Sequence, residues 1–302
     1  MGLARMATTA PPNTPSKKQV FFTRLFSTLL LWGMLFLAFR LGLEWPFAAL
    51  AALFGIGSAF EYFRLMKADS GATAFRRMGL ILCIVYWAMA SWHVLHQGTP
   101  QPCWMDLLIL VLTVQGAFLL SYRSGLEGAQ TLQRIFSTVF GVFYTATLFG
   151  FLLRILYFSR GEALPGGLFL MLFVVMVTKF TDAGAYAIGV LFGKRKMIPH
   201  ISPAKSWEGL IGGFSGAWLT AFLLIWLIPE KLAPLNWLHV LWLVPVLCIA
   251  GVAGDLAESV LKRCFVIKDS GHALPGIGGI LDLTDSLLFT SPIFYFYLLA
   301  NS

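Results

Sequence analysis

The chain contains 302 residues, of which 58% are hydrophobic and 12% are charged. Because soluble domains carry roughly 25% charged residues, this composition excludes a soluble globular protein and predicts an integral membrane protein. The formal net charge is +8, but its distribution is more informative than its total, and we expect no nucleic-acid partner. The four cysteines are scattered and form no CxxC pair, so we expect neither a disulfide framework nor a zinc site.

A polar tail and a series of apolar segments follow one another along the chain. Residues 1–20 are rich in Pro and Thr and are predicted to form a flexible tail. A helix needs about 20 apolar residues to cross a bilayer, and candidate segments lie at 25–41, 46–65, 79–95, 104–122, 135–157, 167–192, 207–228, 238–260 and 279–299. We therefore predict an all-α fold, a polytopic integral membrane protein with about nine transmembrane helices.

The distribution of charge predicts an orientation. Most of the 22 Lys and Arg residues lie in the tail and in one alternate set of loops. The opposite loops hold Arg40, Arg154, Arg160 and Lys231, and Lys179 lies within a span. The positive-inside rule then predicts that residues 1–20 form a cytoplasmic tail and that the C-terminus lies outside.

Acidic residues are concentrated in the second half of the chain. Most of the 14 Asp and Glu residues follow Thr181. We therefore expect transmembrane scaffold helices at 21–165 and a transmembrane catalytic region at 166–302. No internal repeat is visible in the sequence, which disfavours a transporter built from inverted halves.

Two acidic pairs flank a basic loop near the end of the chain. Asp255 with Glu258, and Asp282 with Asp285, have the i, i+3 spacing that places two side chains on one helix face. Carboxylates at membrane depth are costly and usually mark a working site, and carboxylates with phosphate oxygens and water suit Mg²⁺. The structural alternative is two internal salt-bridge pairs that tie the last helices together. Asp182 adds a further carboxylate, set among small residues. The structural alternative for Asp182 is a hydrogen bond to a neighbouring helix.

A second polar segment covers residues 194–209. Lys194, Arg195 and Lys196 are interpreted as a topology signal that contacts anionic lipid. Ser206 is expected to cap a following helix, whose free N–H groups would suit a phosphate. For Ser202, Lys205 and Glu208 we favour a functional role.

These residues resemble the phosphatidate cytidylyltransferase family, also called CDP-diacylglycerol synthases. The family signature reads here as Ser259-Val260-Leu261-Lys262-Arg263, Lys268-Asp269-Ser270-Gly271, Leu274-Pro275-Gly276-Ile277-Gly278-Gly279 and Asp282-Leu283-Thr284-Asp285. Elements at 182–186 and 202–209 match as well. Ile277 stands where the signature has His, and Leu283 where it has Arg. Both acidic pairs are retained, so we expect the chemistry to be retained too.

The resemblance implies transfer of CMP from CTP to phosphatidate, giving CDP-diacylglycerol and pyrophosphate. The implied catalytic residues are Asp282, Asp285, Lys262 and Lys205. The implied substrate-binding residues are Ser202, Lys205, Glu208, Ser259, Arg263, Lys268, Asp269, Gly278 and Gly279. The implied metal ligands are Asp182, Asp255, Asp282 and Asp285, which would hold Mg²⁺, with a second cation left open.

The expected partners are CTP, phosphatidate and the lipid bilayer, and a homodimer is left open. We expect a bacterial inner membrane location with the site facing the cytoplasm. Two alternatives remain at this point: a cation- or proton-coupled transporter, in which acidic residues form a relay, and a CTP-dependent transferase that acts on another lipid.

Overall fold

The computed structural model describes residues 45–66, 74–125, 127–158, 166–264 and 279–301, together with Gly33, Leu37 and Arg40. The predicted tail at 1–20, most of the first predicted span and the loop at 265–278 lie outside the described residues.

Within the described part of the chain, eight helices are long and apolar enough to cross a membrane. They coincide with the last eight predicted spans, so the all-α, polytopic membrane fold is confirmed. The helices are α1 (Trp45–Leu65), α2 (Arg76–Gln97), α3 (Cys103–Ser124), α4 (Ala129–Leu156), α5 (Gly166–Phe192), α6 (Trp207–Leu227), α7 (Trp237–Cys264) and α8 (Ile280–Ala300). Helix α4 contains a π-helical turn at Phe143–Thr147.

Glycines allow α5 and α6 to pack with their backbones in close approach. Gly184 on α5 faces the carbonyl of Gly212 on α6, and Gly216 faces the carbonyl of Phe180. A β-carbon at any of these glycines would collide with the partner backbone. Because lipid offers no hydrophobic drive for helix association, such close packing is what holds membrane helices together.

A short β-hairpin joins α5 to α6, where the sequence predicted only a basic, turn-forming loop. Strand β1 (Lys196–Ile198) pairs antiparallel with β2 (Ser202–Ser206). The hairpin leads directly into α6, and the Ser206 hydroxyl accepts a hydrogen bond from the Gly209 N–H at 3.1 Å. The predicted helix cap at Ser206 is therefore confirmed.

Arg154 lies inside the protein, although the sequence assigned it to an outer loop. Its guanidinium pairs with Asp106 and donates from Nε to the Gln101 carbonyl at 3.0 Å. Tyr86 donates to the same carboxylate at 2.9 Å. A buried guanidinium requires a carboxylate partner, and Asp106 provides it. The pair lies in the N-terminal half and joins α3 to α4.

Candidate active site

Three carboxylates meet where α7 and α8 pack against each other. One oxygen from each of Asp255, Glu258 and Asp285 lies within 4.8 Å of the other two. Gly254 makes this approach possible, because its backbone lies against the Asp285 carbonyl and leaves no room for a side chain. Glu258 is 2% exposed and Asp285 is 5% exposed. Such a buried concentration of negative charge requires cations nearby.

Two lysines supply part of that positive charge. The Lys262 ammonium lies 2.7 Å from Glu258 Oε2 and 2.6 Å from Asp282 Oδ1. The Lys205 ammonium, from strand β2, lies 2.8 Å from Asp255 Oδ2. The hairpin therefore places one ammonium group beside the carboxylates, and α7 places the other there.

Helix α5 brings a third carboxylate–lysine pair to the edge of the cluster. Asp182 Oδ2 lies 3.7 Å from the Lys179 ammonium and accepts a long hydrogen bond, 3.4 Å, from the Ser286 hydroxyl. The Ser286 N–H donates to Asp285 Oδ1 at 2.6 Å. Ser286 therefore contacts carboxylates on two helices.

A pocket of about 230 Å³ opens beside these groups. Its polar lining includes Asp182, Ser202, Lys205 and Asp255, and its apolar lining includes Tyr186 and Met197. Four of the residues singled out in the sequence therefore line one cavity, although they come from three separate elements. A pocket with convergent charged groups and an apolar wall is the usual form of a small-molecule site.

Glu208 and Arg263 fasten the hairpin to the helices around it. The Glu208 carboxylate accepts hydrogen bonds from the backbone N–H groups of Lys194, at 3.1 Å, and Arg195, at 3.1 and 3.2 Å. Arg263 donates from Nε to the Ile201 carbonyl at 3.2 Å. Glu208 does not line the pocket, and the substrate contact predicted for it stays a prediction. Its oxygens bind the backbone between α5 and β1 to the first turn of α6.

The N-terminal half also reaches the site, through α1. Glu61 is 3% exposed and accepts a hydrogen bond from the Leu281 N–H, in the first turn of α8, at 2.8 Å. One turn along, the Ser58 and Thr284 hydroxyls are hydrogen bonded at 2.8 Å. A carboxylate at a helix N-terminus satisfies free N–H groups and interacts favourably with the helix dipole. These contacts fix the helix that carries Asp282 and Asp285.

Asp282 lies in the first turn of α8, beside the carboxylate cluster. Its carboxylate pairs with Lys262 and accepts a hydrogen bond from the Gly279 N–H at 2.9 Å. Among the described residues, Glu258 forms the carboxylate cluster with Asp255 and Asp285, and the metal contact predicted for Asp282 stays a prediction. Asp182 borders the cluster through Ser286 and is not one of its three members.

The remaining predicted site residues differ in how far the structure describes them. Ser259 lies on α7, outside the lining of the pocket, and Gly279 precedes the first residue of α8. Lys268, Asp269 and Gly278 lie outside the described residues.

Three residues at the site were not among the predicted catalytic, substrate-binding or metal-binding residues. Glu258 carried a signal, since it formed half of an i, i+3 acidic pair. Lys179 carried a signal as well, since a charge within a span is a functional-site candidate by default. Glu61 carried none, because its role depends on the packing of α1 against α8.

The three clustered carboxylates fit a divalent cation. Hard cations prefer carboxylate oxygens, and Glu258 Oε1 is buried without a hydrogen bond from any described residue. A cation would compensate an oxygen that otherwise carries a desolvation cost.

The fold and the site together define a polytopic membrane protein with a carboxylate–lysine site at one end of its last helices. The sequence matches the profile of the Cytidylyltransferase family over residues 22–300. The chain belongs to this family.

Individual relatives include enzymes with a stated activity. The phosphatidate cytidylyltransferase of Haemophilus influenzae is 44% identical over 133 residues, which are 43% of this chain and 46% of that protein. The enzyme of the same name from Bacillus subtilis is 44% identical over 132 residues, 44% of this chain and 48% of that protein. The uncharacterized protein YnbB of Escherichia coli is 40% identical over 135 residues, 45% of this chain and 44% of that protein. The chain thus spans about half the length of the curated relatives it matches.

Proposed function

We propose that this protein is a phosphatidate cytidylyltransferase, which transfers CMP from CTP to phosphatidate and releases pyrophosphate. The observation that carries the proposal is the set of ion pairs that joins β2, α7 and α8, in which Lys205 and Lys262 contact Asp255, Glu258 and Asp282. Family membership and the activities for which the relatives are named support the same conclusion.

The reaction is a substitution at phosphorus. A phosphate oxygen of phosphatidate forms a bond to the α-phosphorus of CTP, and the bond from that phosphorus to the β-phosphate oxygen breaks. The attacking group is already an anion, so the reaction needs no strong general base. It needs alignment of the two oxygens and neutralisation of the charge that accumulates on the leaving pyrophosphate.

The residues of the site supply both requirements in this proposal. Lys205 lies in the pocket and donates also to the Val252 carbonyl at 3.2 Å, which fixes its ammonium beside Asp255. Lys262 is held between two carboxylates. Both ammonium groups are thereby oriented before the phosphates arrive, and such preorganised charges stabilise a transition state without reorganisation.

Asp255, Glu258 and Asp285 would hold the divalent cation, for which we propose Mg²⁺. Bound there, it would supply neutralising charge to phosphate oxygens. Asp182 is proposed to orient the Lys179 ammonium at the edge of the pocket. A second cation, which the sequence analysis left open, is also part of the proposal.

We further propose that the site faces the cytoplasm of a bacterial cell and that the protein lies in the inner membrane. The basic hairpin and the end of α7 lie at the same end of the molecule as the site, since Arg263 contacts Ile201. The positive-inside rule assigns that end to the cytoplasm, which is the compartment that contains CTP.

The test is pyrophosphate release by the purified protein from CTP and Mg²⁺ in the presence of different lipids. We expect release with phosphatidate and none with phosphatidylglycerol, with lipid absent or with Mg²⁺ removed by a chelator. A transporter would release no pyrophosphate with any lipid. A transferase with another acceptor would respond to a different lipid in the series, and either result would overturn the assignment.

A further inference from the structure

An apolar groove lies beside the site and shares the helices α5 and α8 with it. Its volume is about 210 Å³, and it is lined by side chains of α1, α4, α5 and α8. On α5 the lining residues are Met171, Val175 and Lys179, which have the i, i+4 spacing of one helix face. At a rise of about 1.5 Å per residue, this face extends the groove over about 12 Å.

The groove has one charged end. Lys179 closes it, and the lining there continues onto α8 through Leu283 and Thr284. The Lys179 ammonium donates to the Leu283 carbonyl at 2.8 Å and lies 3.7 Å from Asp182 Oδ2. Asp182 also lines the polar pocket. Lys179 therefore connects the apolar groove to the carboxylate site.

Lys179 lies at the middle of the 27-residue helix α5. A lysine at that depth is costly even on the most lenient insertion scales, and such residues usually contact an ion or a substrate. An ammonium has three donor hydrogens, and among the described residues the Leu283 carbonyl accepts one of them, which leaves donors for a further partner. The groove thus combines a long apolar wall with a positive charge at its inner end.

This combination matches an anionic amphiphile. We infer that the groove binds one acyl chain of the lipid substrate, with Lys179 contacting the lipid phosphate where the groove meets the site. The inference rests on the proposed function for the identity of the lipid. The apolar wall explains binding of the chain, because each methylene removed from water contributes favourably to binding. The ammonium selects a phosphate monoester over a zwitterionic headgroup.

The direct test is photolabelling without CTP. Purified protein is incubated with phosphatidate that carries a photoreactive diazirine near the end of one acyl chain, irradiated and analysed by peptide mass spectrometry. A phosphatidylcholine with the same chain is the comparison lipid. We expect the phosphatidate to label α1 near Ala51 and α5 near Val175 several-fold more than the phosphatidylcholine does. The Lys179→Met variant should remove this preference and Lys179→Arg should keep it.

A kinetic test uses variants that fill the groove. Ala51 lines it and is buried, whereas Ala49 is exposed on the same helix. Ala51→Leu should raise the ratio of KM for dioleoyl to KM for dioctanoyl phosphatidate about tenfold, because a few methylene contacts are lost. Ala49→Leu should leave the ratio unchanged. Val175→Phe fills the groove from α5 and gives the same expectation if Ala51→Leu does not fold.

The outcomes separate this inference from the proposed function. Equal labelling by both lipids would identify an ordinary contact with bilayer lipid and overturn the inference. Labelling that avoids α1 and α5 would also overturn it, since the groove would then be filled by another part of the chain. Selective labelling in a protein that makes no CDP-diacylglycerol would support the groove and refute the proposed reaction.

Discussion

Glu258 illustrates how much a single carboxylate determines at this site. Its Oε2 pairs with Lys262, while Oε1 is buried without a hydrogen bond from the described residues. In the proposed enzyme that oxygen faces the divalent cation. Sequence spacing identified Glu258 as a partner of Asp255 but did not distinguish which carboxylate of α8 comes within 4.8 Å of both. That distinction depends on the rotation of α8 relative to α7.

Replacing Glu258 with Gln should weaken metal binding. We expect the Mg²⁺ concentration for half-maximal activity to rise about 10- to 100-fold, the usual effect of altering a metal's immediate surroundings. Titration of activity with Mg²⁺ measures it. Glu127→Gln is the control, since Glu127 pairs with Arg134 away from the cluster and its loss should not alter the Mg²⁺ dependence. An unchanged titration for Glu258→Gln would remove Glu258 from the proposed metal ligands.

Lys205 should be required for productive binding of CTP. Lys205→Met leaves Asp255 without its ammonium, and we expect kcat/KM for CTP to fall about 100-fold, as when one preorganised donor is lost. Lys205→Arg should restore only part of it, because a guanidinium does not reproduce a compact ammonium. Steady-state kinetics with Lys231→Met, a change in the turn between α6 and α7, provides the comparison. Equal kinetics for the Lys205 and Lys231 variants would contradict the role of Lys205.

At the scale of elements, the helices could be predicted and the hairpin could not. An apolar run of bilayer length is a local property, so the spans from 46–65 onward are visible in the sequence. The hairpin depends on Glu208, which accepts hydrogen bonds from the backbone N–H groups of Lys194 and Arg195. These residues precede Glu208 by more than ten positions in the sequence. No periodicity in the sequence indicates that pairing.

The close packing of α5 and α6 positions the hairpin, and hence Lys205. Gly184→Val should disrupt it, because the valine side chain would meet the backbone of Gly212. We expect a loss of about 1–3 kcal/mol in stability, typical of overpacking, and a lower unfolding temperature in detergent. Ala183→Val changes an exposed neighbour and should unfold like the wild type. Identical unfolding of the two variants would show that the close approach is not needed.

At the scale of the whole molecule, two halves with different compositions share one site. The acidic second half carries the three clustered carboxylates, and the catalytic role predicted for it stays a prediction. The first half is not merely scaffold, since Glu61 holds the first turn of α8 and Ser58 contacts Thr284. The sequence could not reveal this, because the partners are more than 200 positions apart.

The orientation in the membrane can be tested with the protein's own cysteines. Cys103 begins α3 and Cys264 ends α7, and both are exposed, whereas Cys83 and Cys248 are buried. The predicted topology places Cys103 outside and Cys264 in the cytoplasm. A membrane-impermeant maleimide should therefore label Cys103 in right-side-out vesicles and Cys264 in inverted vesicles. The Cys103→Ser and Cys264→Ser variants identify each signal, and the reverse pattern would contradict the orientation.

The central claim is that the carboxylate–lysine site transfers CMP to phosphatidate. The most direct measurement follows radiolabel from the α-phosphate of CTP into chloroform-extractable lipid, with wild-type protein and with Asp285→Asn. We predict that the wild type forms labelled CDP-diacylglycerol only with phosphatidate and Mg²⁺. The variant should unfold at a similar temperature and lose activity by about 100-fold or more. Label in lipid at the wild-type rate from Asp285→Asn, or none from the wild-type protein, would contradict the account.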